Sequence, residues 1–393
     1  MQNGYFTKLL NPSYSLIKES KVNSNRNKEE KWMATYKLGV LYGDGIGLEI
    51  TKATVNVLKA AVEKVGTTEF EYHELPMGWE AIEKYGDPIP QYTKDALKET
   101  NGWIMGPHDS AAYPKEHKEN RNPSGELRHY FDLYSNVRPA KTMTGIKSVV
   151  GEADLVIFRE NTEGYYCDRN MYVGVGEWQV TPDVVISAGV FTRKAVERIA
   201  HSAFQMARKR RKKVTIVHKA NVIKLGSGLF LQVCREVGQQ YPDVEIDDYH
   251  IDAMTAHLVR RAKDFDVIVT ENMFGDILSD LAGELVGSLG LAPSINNNEN
   301  QAMAQAAHGS APDIAGKNIA NPIGIMLSTV MFLDWLSSRH NDESVSKIAR
   351  TIESGIFNTL ADGIKTKDLG GAASTTEFTE AIIERIKTAV SVS

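Results

Sequence analysis

Two aspartates four residues apart, Asp276 and Asp280, have the spacing that most directly suggests chemistry in this chain. They follow Asp266–Val269, a short apolar run that is typical of a buried strand. We expect Gly275 to allow a sharp turn into a helix near Ile277, which places both carboxylates on one helix face. Capping of the helix would explain Asp276 but not Asp280. Two carboxylates at the carboxyl end of a strand suit Mg2+ or Mn2+.

Three arginines, Arg128, Arg138 and Arg159, belong to polar motifs, and Arg159 lies at the end of a predicted strand. Each one alone is explained by a surface ion pair. Because a guanidinium binds a carboxylate through two parallel hydrogen bonds, three together would suit an acid with two or three carboxylates.

Other polar residues follow predicted strands, and two interpretations stay open for each. Lys219 is either an exposed residue at a strand end or a base with a lowered pKa. Asp252 either caps the following helix or supplies a third carboxylate to a metal. The glycine- and proline-containing segment 308–322 is either a surface loop or a functional one, in which Asp313 accepts hydrogen bonds from both hydroxyls of a ribose.

The elements that must position these residues alternate between strand-like and helix-like patterns. Tyr36–Tyr42 predicts a strand, and a helix is predicted over 48–65. The glycines of Gly43–Gly47 do not have the spacing of a dinucleotide-binding fingerprint, which favours a tight turn. The alternation continues along the chain and predicts an α/β fold with a largely parallel sheet.

Length and composition narrow the class of protein. A chain of 393 residues predicts two domains, and a net charge of −5 gives no reason to expect binding to nucleic acid or a membrane. The basic run Arg208–Lys213 is interpreted as a solvated helix end. The only cysteines, Cys167 and Cys234, fit a reducing, cytoplasmic compartment. Residues 1–33 are polar and are interpreted as a disordered extension, with Met33 as an alternative start.

Together these motifs resemble the β-decarboxylating dehydrogenase family, which includes isocitrate, homoisocitrate, 3-isopropylmalate and tartrate dehydrogenases. The resemblance runs from about Tyr36 to the C-terminus through GDGIG, LR…NVRP, FRENTEGYY, HKANV, NMFGDILSD and HGSAPDIAGK…ANP. It implies a two-domain isopropylmalate-dehydrogenase-like fold that is not a classical Rossmann fold. The implied large cofactor-binding domain is 34–133 plus 287–393, and the small domain, with the substrate and metal residues and the dimer interface, is 134–286. It also implies a homodimer with shared active sites.

The resemblance further implies a role for individual residues. Tyr166 and Lys219 correspond to the catalytic tyrosine and lysine, and Lys219 and Asp252 are expected to reach the neighbouring subunit's site. The implied sets are Ser124, Arg128, Arg138, Arg159 and Asn221 for the substrate; Asp252, Asp276 and Asp280 for Mg2+ or Mn2+; and His308, Gly309, Ser310, Ala311, Asp313, Ile314 and Asn321 for NAD.

Two local sequence features bear on the choice of cofactor and of substrate. NADP-using relatives carry Lys and Tyr at the positions of Asp313 and Ile314, so NAD is predicted. Before Arg128 the chain departs from the S-x-N-x-x-L-R pattern of isocitrate enzymes. It also departs from isopropylmalate enzymes, whose glutamate and leucines are replaced here by Arg121, Ser124 and Gly125. Because these replacements remove an apolar cradle, isocitrate or homoisocitrate is predicted. The alternatives are 3-isopropylmalate, tartrate and D-malate. A non-catalytic regulatory subunit is a further alternative, although the lysine, tyrosine and aspartates are all present.

Overall fold

The structure is a computed structural model that describes residues 34–118, 121–166, 174 and 176–389. The predicted N-terminal extension and Cys167 lie outside these residues. Within the described part of the chain, no helix is long and apolar enough to cross a membrane.

Strands and helices alternate along the chain as the sequence predicts. The strands are β1 (Ala34–Leu41), β2 (Thr68–Glu74), β3 (Gly102–Met105), β4 (Ser135–Lys141), β5 (Asp154–Glu160), β6 (Glu177–Thr181), β7 (Val184–Ser187), β8 (Lys213–His218), β9 (Glu245–His250), β10 (Val267–Thr270), β11 (Ile295–Asn297) and β12 (Ala302–Gln305). The helices are α1 (Gly47–Val65), α2 (Trp79–Tyr85), α3 (Gln91–Lys98), α4 (Lys115–Lys118), α5 (Pro123–Tyr130), α6 (Arg193–Lys209), α7 (Gly226–Gly238), α8 (Ile251–Arg261), α9 (Asn272–Val286), α10 (Ile323–His340), α11 (Glu343–Ala361) and α12 (Thr375–Thr388).

Ten strands form one sheet in the order β2-β1-β3-β12-β11-β4-β5-β10-β8-β9. Both flanks are parallel, and the three central pairings, β12 with β11, β11 with β4, and β4 with β5, are antiparallel. The predicted largely parallel α/β sheet is therefore confirmed. Strands β6 and β7 form a separate antiparallel hairpin. Because the large sheet runs through both predicted segments, the division of the chain into two domains stays a prediction.

The antiparallel register of β4 and β5 brings two of the predicted arginines together. Asn136 on β4 lies opposite Arg159 on β5, and Arg138 follows two residues later. Since cross-strand partners and residues two apart share a face of a sheet, Arg138 and Arg159 project from the same face. Helix α9 packs over β4 and β5 on the site side.

Two further features agree with simple physical expectations. Helix α10 is buried from Ile323 to Leu336 because it is apolar nearly all round. The basic run ends helix α6 and is paired within the chain, with Arg208 contacting Asp243 at 2.7 Å and Arg210 contacting Asp266 at 2.7 Å. The helix ends at Lys209 as predicted, but Arg210, with 7% of its side chain exposed, is buried rather than solvated.

Candidate active site

Helix α9 begins at Asn272, so the predicted turn at Gly275 is wrong. Gly275 lies inside the helix, where an added Cβ would be only 2.6 Å from Cγ of Arg159. The glycine is therefore needed for a close approach of the helix to strand β5 rather than for a turn. Asp276 lies beyond the first helical turn, which excludes the capping interpretation of this residue.

Arg159 is fixed by residues of α9. Its Nε and Nη2 donate hydrogen bonds of 2.9 and 2.7 Å to Oδ1 of Asn272, and its Nη1 contacts Oδ1 of Asp276. The guanidinium is almost fully buried, with 2% of the side chain exposed. Its position is thus determined by hydrogen bonds on two of its edges.

Arg138 reaches the same helix from the neighbouring strand. Its Nη1 lies 3.3 Å from Oδ1 of Asp276 and 3.4 Å from Oδ1 of Asp280, and it donates a hydrogen bond of 2.6 Å to Ser279 Oγ. Both aspartates therefore lie beside one guanidinium group, as their spacing predicts. The structure brings Arg138, Arg159, Asp276 and Asp280 together.

The two aspartates experience different electrostatic environments. Burial alone would raise the pKa of Asp276, but the guanidinium groups of Arg159, Arg138 and Arg128 outweigh it and lower that pKa. Burial raises the pKa of Asp280, and the charge of Asp276 adds to this effect while Arg138 opposes it. At neutral pH, Asp276 is consequently held as a carboxylate in a strongly cationic setting.

A cleft opens in front of these residues and contains many of the predicted site residues. Tyr166 lines it and donates a hydrogen bond of 3.0 Å to Oδ2 of Asp276. The ring of Tyr166 also lies 5.5 Å from the guanidinium carbon of Arg159, within the range of a cation–π contact. The other predicted residues that line the cleft are Ser124, Arg128, Arg138, Arg159, Asp276, His308 and Gly309, whereas Asp280 is not among its lining residues.

Lys219, Asn221 and Asp252 are not among the residues that line this cleft. Lys219 follows β8, and its Nζ lies 2.5 Å from Oδ1 of Asp252 in the first turn of α8. Asn221 is exposed in the same segment. The structure therefore brings Lys219 and Asp252 together, but not as lining residues of this cleft.

The segment 308–321 is anchored to the glycine-rich turn after β1. The backbone N–H of Ile46 donates to the carbonyl of Ser310 at 2.9 Å, and a Cβ on Gly45 would lie 2.2 Å from that oxygen. Gly45 has a φ of 56°, so both its conformation and its contact favour glycine. The prediction of a tight turn that needs small residues is thus confirmed.

The remaining residues of the predicted cofactor loop have different environments. Ala311 and Ile314 pack against the core, whereas Asp313 is exposed. Asn321 donates a hydrogen bond of 2.9 Å to Asp368 and accepts one from the N–H of Ile323 at the start of α10. Their assignment to a cofactor stays a prediction.

Two cleft residues, His108 and Gln305, were missed by sequence reasoning. His108 follows β3 and Gln305 ends β12, and these strands are neighbours in the sheet. Both positions carry the signal that identified Arg159, a polar residue at a strand end. A single polar residue is too common at such positions to be singled out without the sheet order.

The acidic residues fit a divalent cation in part. Asp276 and Asp280 offer carboxylate oxygens, which Mg2+ and Mn2+ prefer. Among the described residues, however, no group of three His, Cys, Asp or Glu side chains is arranged to hold a metal ion. The donor chemistry fits such a cation if a third carboxylate is added to the pair.

Known proteins are similar to most of this chain in sequence and in fold. A 3-isopropylmalate dehydrogenase of Archaeoglobus fulgidus is 42% identical over 343 residues, which cover 87% of this chain and 97% of that protein. An isocitrate/homoisocitrate dehydrogenase of Thermus thermophilus is 41% identical over 360 residues, covering 90% and 99%. The crystal structure of isocitrate dehydrogenase from Methylococcus capsulatus superposes with a TM-score of 0.81 at 38% identity and covers 90% of this chain and 100% of that one.

The fold and the site place the chain among α/β proteins with buried arginines beside paired carboxylates, an arrangement whose chemistry suits a carboxylate ligand. The chain belongs to the isocitrate/isopropylmalate dehydrogenase family, whose model matches residues 37–382. It is accordingly a decarboxylating hydroxyacid dehydrogenase, and the family resemblance found in the sequence is confirmed.

Proposed function

We propose that this enzyme oxidatively decarboxylates isocitrate or homoisocitrate, using NAD and Mg2+ or Mn2+. The convergence of the buried Arg128, Arg138 and Arg159 in one cleft carries this proposal. Three guanidinium groups match the charge of a substrate with several carboxylates better than that of a less charged acid. One relative is a 3-isopropylmalate dehydrogenase and another is an isocitrate/homoisocitrate dehydrogenase, so the relatives do not decide between these substrates.

The polar wall of the cleft supports the choice among these substrates. Ser124 accepts a hydrogen bond from Gln305, and Gln305 accepts one from Arg128. A branched alkyl substituent would gain little from such a wall and would desolvate its polar groups. Arg121, which the sequence suggested as a contact for an acidic substituent, is instead 3.5 Å from Glu126 and does not line the cleft. Of these two residues, only Ser124 is therefore in place to contact a polar substituent in the cleft.

The residues of this chain can perform the proton transfers that the reaction needs. When bound, NAD accepts the hydride and the divalent cation stabilises negative charge that develops on the substrate oxygen. Lys219, as its amine, accepts the proton of the substrate hydroxyl. Loss of carbon dioxide leaves an electron pair on the adjacent carbon, and the phenol of Tyr166 supplies a proton to it. Asp276 orients that phenol through the hydrogen bond described above.

A homodimer would bring Lys219 and Asp252 to the cleft of a second copy. Both lie outside their own cleft, and apolar side chains near them are exposed, including Val222 at 67% and Leu225 at 89%. The packed helices α8 and α9 likewise expose Val259 and Ile277, at 49% and 52%. Large apolar side chains exposed in this way support an interface in this part of the chain. A partner's Asp252 would supply the third carboxylate that Asp276 and Asp280 lack.

The choice of NAD rests on the chemistry of Asp313. Its carboxylate is exposed and would repel a 2′-phosphate, while it can accept hydrogen bonds from a free ribose diol. Cys234 is a buried free thiol, which agrees with a reducing compartment. We therefore propose a cytoplasmic location for the enzyme.

A substrate screen tests the proposal. Formation of NADH by the purified full chain would be measured with Mn2+ and isocitrate, homoisocitrate, 3-isopropylmalate, tartrate or D-malate, and repeated with NADP. We expect the highest kcat/KM with NAD and one of the two tricarboxylates, and loss of activity when EDTA removes the metal. A preference for 3-isopropylmalate or a smaller acid would assign that alternative substrate, and a preference for NADP would contradict the role of Asp313. Inactivity with every acid would favour a regulatory subunit.

A further inference from the structure

One wall of the cleft contains a buried hydrogen-bonded chain of three side chains. Nε2 of Gln305 donates to Oγ of Ser124 at 2.6 Å, and Nη2 of Arg128 donates to Oε1 of Gln305 at 3.2 Å. All three residues are less than a tenth exposed. The two contacts fix the orientation of the Gln305 amide, because its oxygen must face the arginine and its nitrogen the serine.

His108 completes this wall at the end of β3. It lines the same cleft, and its Nδ1 is buried without a hydrogen-bond partner among the described residues. Burial lowers the pKa of His108 to about 4, and Arg128 contributes to this shift while Asp44 opposes it. The imidazole is therefore neutral near pH 7, with one N–H donor and one acceptor nitrogen. A buried polar atom without a partner is costly, and a ligand that bonds to it removes that cost.

We propose that His108 is a specificity residue that, with Gln305 and Ser124, binds a hydrogen-bonding substituent on the substrate carbon that loses its carboxylate. In the two tricarboxylate substrates this substituent carries the third carboxylate, which would be held between the imidazole N–H and Arg128. This inference rests on the proposed function and adds the residues that would discriminate between its candidate substrates. A branched alkyl group at this place would leave the imidazole without a partner, and sites built for hydrogen bonds reject ligands that lack them.

Replacement of His108 by leucine tests this assignment. We expect His108→Leu to reduce kcat/KM for isocitrate and homoisocitrate by roughly 10- to 100-fold, with 3-isopropylmalate unchanged or improved. His108→Gln, which keeps a donor and an acceptor, should recover much of the loss. His129→Leu is the matched control, because it makes the same change at an exposed position on α5 next to Arg128. The KM for NAD should remain within about twofold in all variants.

Several outcomes would overturn the proposal. An equal loss for all three substrates, or a raised KM for NAD with unchanged discrimination, would exclude a role in substrate choice. If thermal unfolding shows that His108→Leu does not fold, Gln305→Leu carries the same expected change in discrimination, and its absence would also overturn the proposal. Wild-type preference for 3-isopropylmalate would overturn this inference while leaving a metal-dependent dehydrogenase, whereas inactivity with every acid would overturn the proposed function itself.

Discussion

The phenol of Tyr166 donates a hydrogen bond of 3.0 Å to one oxygen of Asp276, and Arg159 contacts the other oxygen of that carboxylate. A single carboxylate thus joins the predicted proton donor and a predicted substrate arginine. Under the proposed function, we therefore expect a change at Asp276 to affect both the arginine and the phenol.

The first prediction concerns Tyr166→Phe, which removes the proton donor and keeps the ring. We expect kcat to fall by roughly 10²- to 10⁴-fold, with a smaller change in KM, because the proton is needed after the substrate is bound. A single-turnover burst of NADH should persist, since oxidation precedes the protonation. The control is Tyr165→Phe, because Tyr165 is exposed and its ring contacts Phe191 edge-on. Steady-state and stopped-flow absorbance measure both effects, and an unchanged kcat would contradict the assigned role.

The second prediction concerns sharing of active sites between subunits. Lys219→Ala and Tyr166→Phe homodimers should both be nearly inactive, but a heterodimer purified through two different tags should recover roughly half of the wild-type activity. One of its two sites then contains both intact residues. A heterodimer of Lys219→Ala with the double variant Lys219→Ala/Tyr166→Phe is the control and should remain inactive. If the first heterodimer is inactive too, Lys219 serves its own chain and the shared site is wrong.

The third prediction concerns Gly275→Ala, which places a methyl group 2.6 Å from Cγ of Arg159. We expect the displaced guanidinium to raise the KM for the carboxylate substrate roughly tenfold or more. Gly228→Ala is the matched control, since Gly228 is also helical and a Cβ there has no neighbour within 4 Å. That control should be stabilised by about 0.5–1 kcal/mol without kinetic change. Equal kinetics for the two variants would show that Arg159 does not depend on the close approach.

The fourth prediction concerns the buried carboxyl group of Asp334, whose oxygens have no hydrogen-bond partner among the described residues. Burial, reinforced by Glu353 and opposed by Arg350, raises its pKa well above the ordinary value. A carboxyl group with a raised folded-state pKa contributes stability that is complete below the unfolded-state pKa and is lost as the pH rises through the folded-state pKa.

Asp334→Asn removes this dependence because an amide does not ionise. As the pH rises above the unfolded-state pKa of about 4, we expect the free energy of unfolding of the variant to decline less steeply than that of the wild type. Urea denaturation at a series of pH values measures the difference. Asp183→Asn, at an exposed position beside β7, should follow the wild-type curve. Parallel curves for Asp334→Asn and wild type would exclude ionisation of Asp334 as the cause.

Local patterns predicted most of the elements and one side of the site. The apolar run before Thr270 and the helical spacing after it placed Asp276 and Asp280 on one face, and the structure brings both to Arg138. The role of Gly275 was predicted wrongly, because a glycine after a strand gives the same local pattern whether it turns the chain or permits close packing. Only the contact with Arg159 distinguishes the two.

The sequence by itself determined the alternation of strands and helices, the family and the residue types of the site, because apolar periodicity and chemical motifs are local properties of the chain. The tertiary structure decided which of those residues meet. Antiparallel pairing of β4 with β5 placed Arg138 beside Arg159, and the neighbouring strands β3 and β12 placed His108 and Gln305 in the same cleft. Lys219 and Asp252 do not line that cleft, because the residues that line it depend on strand order, which no local pattern specifies.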